Sequence, residues 1–169
     1  MKIRFLCMVA AVALLGACQS ADETVVSGTS ASDNIVTKAP APTSAKSVSI
    51  VAGSQADFVS NVGDRVFFEY DVFGLTPEAK EQLIKWVAFM QKYPRNNLTI
   101  EGHADERGTR EYNLALGERR ANSIQNFLVS HGIASSRLRV ISYGKERPDV
   151  IGSNESSWAR NRRGVGVIQ

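Results

Sequence analysis

From about Gly63 onward the apolar residues of this chain switch repeatedly between a period of two and a period near 3.6. That alternation restricts the fold more than any other feature. Val66, Phe68 and Tyr70 alternate with Phe67, Glu69 and Asp71, which is a strand pattern. "LTPEAKEQLIKWVAFMQKY" follows, with Thr76 as an N-cap and Pro77 at the first helical position. Its Ala79, Leu83, Trp86, Val87 and Met90 share one helical stripe that ends before Pro94. "NLTIEGH" predicts a second strand, and a second helix runs from about Asn113 to His131 and stops at Gly132. "RLRVISYG", "NESSWARN" and "GVGVIQ" predict a strand, a short helix and a last strand. The expected fold is an α/β (α+β) two-layer sandwich, a small mixed sheet with helices packed on one side, in the order β-α-β-α-β(-α)-β. Residues 63–169 are enough chain for one core.

The N-terminus sets the compartment. Lys2 and Arg4 precede the apolar run "FLCMVAAVALLGA", a basic head and a short greasy middle that describe an export signal over residues 1–17. The run is too short to span a bilayer comfortably. Leu15, Gly16 and Ala17 before Cys18 resemble a lipobox, which implies lipid on Cys18 and cleavage just before it. An ordinary cleavable signal with an incidental cysteine is the plainer alternative. Gln19 in place of Asp resembles the enterobacterial pattern for sorting to the outer membrane. With Cys7 cut away and Cys18 acylated, no disulfide is available and a core must supply stability. Loss of Lys2 and Arg4 lowers the formal charge from +3 to +1, so no nucleic-acid partner is expected. Residues 18–62, rich in Ser, Ala, Thr, Val and Pro, read as a flexible tether. It would reach ~140 Å fully extended and span ~35–40 Å as a coil.

The segment "IEGHADERG" concentrates the chemistry. On the second helix Leu114, Gly117, Ala121, Ile124 and Leu128 define the expected buried stripe. At ~100° per residue Arg119 projects away from that stripe into solvent, whereas Arg120 lies only about 70° from its centre. A guanidinium at the border of a core needs a partner. Asp105 and Glu106 are natural candidates; backbone carbonyls or a structural carboxylate are the alternative. If Asp105 and Arg120 face one pocket, they match a zwitterion, carboxylate to ammonium and guanidinium to carboxylate. A metal centre is not expected, because His103 and His131 are the only histidines and His103 reads as a structural residue at a strand end. No cofactor is expected. Catalysis is not expected either: there is no GxSxG elbow, and Glu101 with Asp105 has too little surrounding chain to build a glycosidase cleft.

"TIEGHADERGTREYNLALGERRANSIQNFL", "RVISYGKERP" and "ARNRRGVGV" resemble the OmpA-like peptidoglycan-binding domain family over about Val66 to Val167. The resemblance implies a non-enzymatic domain that grips the diaminopimelate residue of the peptidoglycan stem peptide. The family's carboxylate falls on Asp105 and its arginine on Arg120. Asp71, Val72 and Phe73 match the segment whose amides cradle a stem carboxylate, and Arg162 matches an arginine of the family's "NRR". Arg107 and Asn113 match motif positions and are expected to order the loop. The resemblance further implies an outer-membrane lipoprotein with its domain in the periplasm, and TolB and TolA as partners. A module that binds envelope proteins with little wall binding is the alternative function. The chain departs from the family pattern at Glu69, Phe73, Gly164 and Gly166, and the two glycines lower strand propensity at the end of the fold. Replacing Asp105 or Arg120 by Ala is expected to weaken wall binding with the thermal midpoint unchanged; a large fall would mark a structural role.

Overall fold

The computed structural model describes residues 49–169. The expected signal over residues 1–17, the lipidation site Cys18 and the tether as far as residue 48 lie outside the described residues.

The folded structure starts before the expected boundary between residues 62 and 63. Helix α1 (Gln55–Asp57), capped by Ser54, continues into a wider turn over Phe58–Val62. Phe58 is fully buried, with its ring 5.3 Å from Trp86 and 4.9 Å from Phe89. The Gln55 side chain pairs with the backbone of the last strand, donating to Gly166 and accepting from Ile168. A Ser- and Ala-rich composition hid this segment, because distant residues anchor it: besides Phe58 and Gln55, Asn96 donates to the Gly53 carbonyl, and Gln82 and Trp86 donate to the Gly63 carbonyl.

Strand β1 (Arg65–Phe67) is followed by α2 (Pro77–Lys92), β2 (Leu98–His103), α3 (Arg110–Ser130), β3 (Leu138–Gly144), α4 (Glu155–Asn161) and β4 (Arg163–Ile168). The sheet order is β1-β4-β2-β3; β4 runs antiparallel to β1 and β2, and β2 parallel to β3. This is the expected mixed sheet with α2 and α3 against one face, where Val66, Leu98, Ile100, Trp86, Met90, Ile124 and Leu128 form the core. Thr76 caps α2 through the Ala79 amide at 3.2 Å, and its whole expected stripe is buried.

Gly164 and Gly166 sit in β4, in the interior of the sheet. A Cβ at Gly164 would stand 2.3 Å from Ile124, and one at Gly166 2.9 Å from Trp86. The glycines leave room for large side chains arriving from the helices, and packing outweighs their weak strand propensity.

Two local readings need correction. β1 ends at Phe67, earlier than the alternation suggested, because the chain turns at Asp71 (φ 56°) and leaves Tyr70 exposed. On α3, Leu114 is 48% exposed while Asn113, Leu116 and Arg120 are buried. Polar Asn113 and Arg120 serve neighbouring loops with hydrogen bonds, so a stripe drawn from apolar residues alone misplaces the inner face near the start of α3.

Candidate binding site

The site lies where β2 leaves the sheet and α3 begins. The register between β2 and β3 slips at Gly102/His103, and the Ala104 amide then donates to Gly144 at 2.8 Å. The chain turns through residues 104–108, where the Arg107 amide donates to Asp105 Oδ1 at 3.1 Å. Asn113 Nδ2 reaches back from α3 to the carbonyls of Arg107 (2.8 Å) and Thr109 (3.0 Å). Lys145 holds the other side through the carbonyls of Glu106 and Gly108. Thr109 caps α3 four residues before the expected start, a Thr signal available in "GTREY".

A hollow of about 200 Å³ opens here, lined by Tyr70, Asp71, Asp105, Arg107, Gly108, Tyr112, Asn113, Leu116 and Arg120. Two acidic and two arginine residues are among its lining, so the lining is charged yet formally balanced. Asp105 and Arg120 therefore share one hollow. Asp71, Arg107 and Asn113 join them. Arg162 lies behind, its Nη1 3.5 Å from Asp105 Oδ2, and contributes to a neighbouring hollow with Phe67, Phe68 and Glu69. Val72 and Phe73 stand on the adjoining loop, half-exposed and outside the lining.

Arg120 does not pair with Asp105 or Glu106. Its guanidinium, fully buried over the Phe68 ring, donates to the carbonyls of Val72 (2.9 Å), His103 (2.9 Å) and Glu69 (3.0 Å). It ties the turn after β1 to the end of β2. Burial pulls its pKa down to about 10, against the opposing pull of Asp105, so the cation persists at neutral pH. Glu106 turns away to accept from the Trp158 indole at 2.9 Å.

Asp105 pairs with Arg107 instead, at 3.2 Å from Nε and 2.5 Å from Nη2. Burial pushes the Asp105 carboxyl up, but the hydrogen bonds from Arg107 outweigh it and hold the group below the usual carboxylate range. The Arg107 guanidinium lies between the Tyr70 and Trp158 rings, 4.0 and 4.1 Å from their centroids. Tyr112 donates to Asp71 and fixes the rim. Sequence reasoning missed Tyr70, Tyr112 and Trp158. The aromatic in "EYN" was a signal, whereas Tyr70 and Trp158 enter from distant segments.

His103 is 2% exposed, with neither ring nitrogen hydrogen-bonded and Glu101 Oε2 3.6 Å away. The expected structural histidine thus lies on the sheet face opposite the helices, its ring without a hydrogen bond of good geometry among the described residues. Burial, then the Arg163 charge, push its pKa down to about 4. Because the folded value lies below the unfolded ~6.5, the unfolded chain binds the proton more readily. Stability is full above pH ~6.5 and falls as the pH drops towards 4, by up to about 3 kcal/mol. Glu101, raised by its own burial, acts in the opposite sense. The difference between wild type and His103→Phe therefore isolates the effect: thermal midpoints at pH 7.5 and 4.5 should diverge for wild type more than for the variant.

Residues 67–162 match the OmpA family model. The chain belongs to the OmpA family. The peptidoglycan-associated lipoprotein of Brucella melitensis is 51% identical over 116 residues, covering 69% of each chain. That of Pseudomonas aeruginosa is 50% identical over 97 residues, covering 57% of each. Among solved structures, the peptidoglycan-associated lipoprotein from Burkholderia pseudomallei superposes with a TM-score of 0.61 at 36% identity, covering 63% of this chain and 90% of that one. The C-terminal domain of Helicobacter pylori MotB, at 19% identity and a TM-score of 0.59, shares the fold, covering 63% of this chain and 84% of that one. All the hollow-lining residues fall inside the segment that matches the OmpA family.

Proposed function

We propose that this OmpA-family domain binds peptidoglycan noncovalently by holding the zwitterionic centre of diaminopimelate in the stem peptide. The observation that carries this reading is the convergence of Asp105 and Arg120 on one charge-balanced hollow. Asp105 is the acceptor for the ammonium. Arg120 keeps a positive charge beside it and, through its three carbonyls, holds the Glu69–Val72 turn in shape. The amides of Asp71, Val72 and Phe73 meet the carboxylate, with Arg162 adding charge from behind; Arg107 and Asn113 keep the loop in order. The function is binding, with no catalytic step.

The remaining parts complete a wall tether. Residues 1–17 are the export signal, Cys18 carries the lipid that anchors the chain in the outer membrane, and residues from 18 towards the folded domain form the leash. In this reading the protein acts in the Tol–Pal system, keeping the envelope intact and drawing in the outer membrane during division. The exposed Tyr70, Val72 and Phe73 beside the hollow support a protein-binding rim, which TolB would share with the wall, with TolA as a further partner.

Calorimetric titration with a soluble stem tripeptide ending in meso-diaminopimelate tests the site, with the lysine-ended peptide as control. Asp105→Asn is expected to weaken the first at least tenfold, since a charge-assisted bond contributes roughly 1.5–3 kcal/mol. Sedimentation with purified sacculi should follow the same order. Undiminished binding by Asp105→Asn would refute the assignment.

A further inference from the structure

Asp105 is already satisfied by its own neighbours. Oδ1 accepts from the Arg107 amide and Nε, and Oδ2 from Arg107 Nη2, with Arg162 Nη1 at 3.5 Å. The carboxylate is 5% exposed, so an incoming ammonium finds its counter-ion occupied. Arg107 differs from the other two arginines at the site. Its side chain is 30% exposed, whereas Arg120 and Arg162 are buried and tied to backbone carbonyls. It lies flat in an aromatic slot, with Tyr70 on one side and Trp158 on the other. A second carboxylate is close at hand: Glu155 Oε2 lies 3.9 Å from Arg107 Nη1, while Glu155 Oε1 accepts from Arg162 Nη2 at 2.7 Å.

Resting on the zwitterion reading above, we propose that Arg107 is a resident cation that the ligand's ammonium displaces from Asp105, Arg107 moving within the Tyr70–Trp158 slot towards Glu155. The exchange conserves charge pairing. Asp105 trades one cation for another, and Arg107 draws closer to Glu155, which it shares with Arg162, while keeping its contact with both rings. A buried carboxylate held only by Arg162 at 3.5 Å would be costly, so Arg107 both stabilises Asp105 and competes with the ligand for it. Binding is then an exchange, weaker than the same contacts would be in a hollow with a free Asp105. A ligand lacking the ammonium gains nothing from Asp105 and leaves Arg107 in place, which makes the exchange a selector for the zwitterion.

Two readouts on the same stem tripeptide test this. Arg107→Gln removes the competing charge and is expected to bind about tenfold more tightly than wild type, the equivalent of one charge-assisted bond. In wild type, the Arg107 Nε–Hε resonance should shift as the peptide saturates the site and stay put with an analogue lacking the ammonium. Equal or weaker binding by a folded Arg107→Gln, or an unmoved resonance at saturation, overturns the exchange. If the variant loses its fold, the wild-type resonance decides alone. A wild type that does not bind the peptide at all sinks the wall-binding reading instead, which separates the two failures.

Discussion

Replacing Arg120 by Ala is expected to lower the thermal midpoint by on the order of 10 °C as well as to abolish wall binding. The guanidinium is fully buried and donates to three carbonyls from two separate segments. Removing it leaves the carbonyls of Glu69, Val72 and His103 without that donor, and each buried polar group left unmade costs about 1–3 kcal/mol. Partial hydration through the adjoining hollow reduces the sum, so a total near ~3 kcal/mol is expected, which converts to the stated shift for a domain of this size. Arg119→Ala is the control. Its side chain is exposed one residue earlier on the same helix, and the change should stay within about 0.5 kcal/mol. Calorimetric melting of the two variants side by side measures the difference. Two melting curves that superpose would show that the carbonyl clamp contributes nothing. The expectation of an unchanged midpoint, drawn from treating Arg120 as a ligand contact alone, gives way to this one.

Gly102→Ala should be more damaging still. A Cβ there would stand 1.8 Å from the Gly117 carbonyl oxygen and 2.5 Å from its carbon. Both obstacles are backbone, so no side chain can rotate out of the way; α3 would have to move off β2 as a body. Overpacking a core typically costs 1–3 kcal/mol, and a backbone collision belongs at about 3 kcal/mol or more. The displaced helix also carries Asn113 and Arg120, so the hollow would open with it. The expected result is a much lower midpoint, or failure to accumulate folded protein, and no binding of the stem peptide. Gly132→Ala is the comparison, since its backbone is left-handed but nothing stands within 4 Å of the added carbon. It should show only the smaller cost of the strained backbone, about 1 kcal/mol. A Gly102→Ala protein that melts with wild type would mean that α3 and β2 are not in contact as described.

What was legible in the sequence follows from what is local. Thr76, Pro77 and a 3.6-residue stripe specify α2 without reference to the rest of the chain. The same logic places the Asp105 loop ahead of an Arg-bearing helix and separates Arg119 from Arg120. It falters where burial involves polar groups: Asn113 and Arg120 occupy the inner face of α3 while Leu114 is left outside. It falters again at Phe58, which joins the core from a segment of featureless composition held by distant residues.

Periodicity, caps and the spacing of charges were enough to define strands backed by two long helices and to put an acid-bearing loop ahead of an arginine-bearing helix. Their partners were another matter. Arg120 finds carbonyls 48 and 51 residues away, and Arg107 takes the acid that Arg120 was expected to hold. Backbone hydrogen bonding and hydrophobic repeat act over a few residues and leave their mark in order along the chain. The satisfaction of a buried charge depends on which loops packing brings within 3 Å, and that is decided only when the whole domain closes.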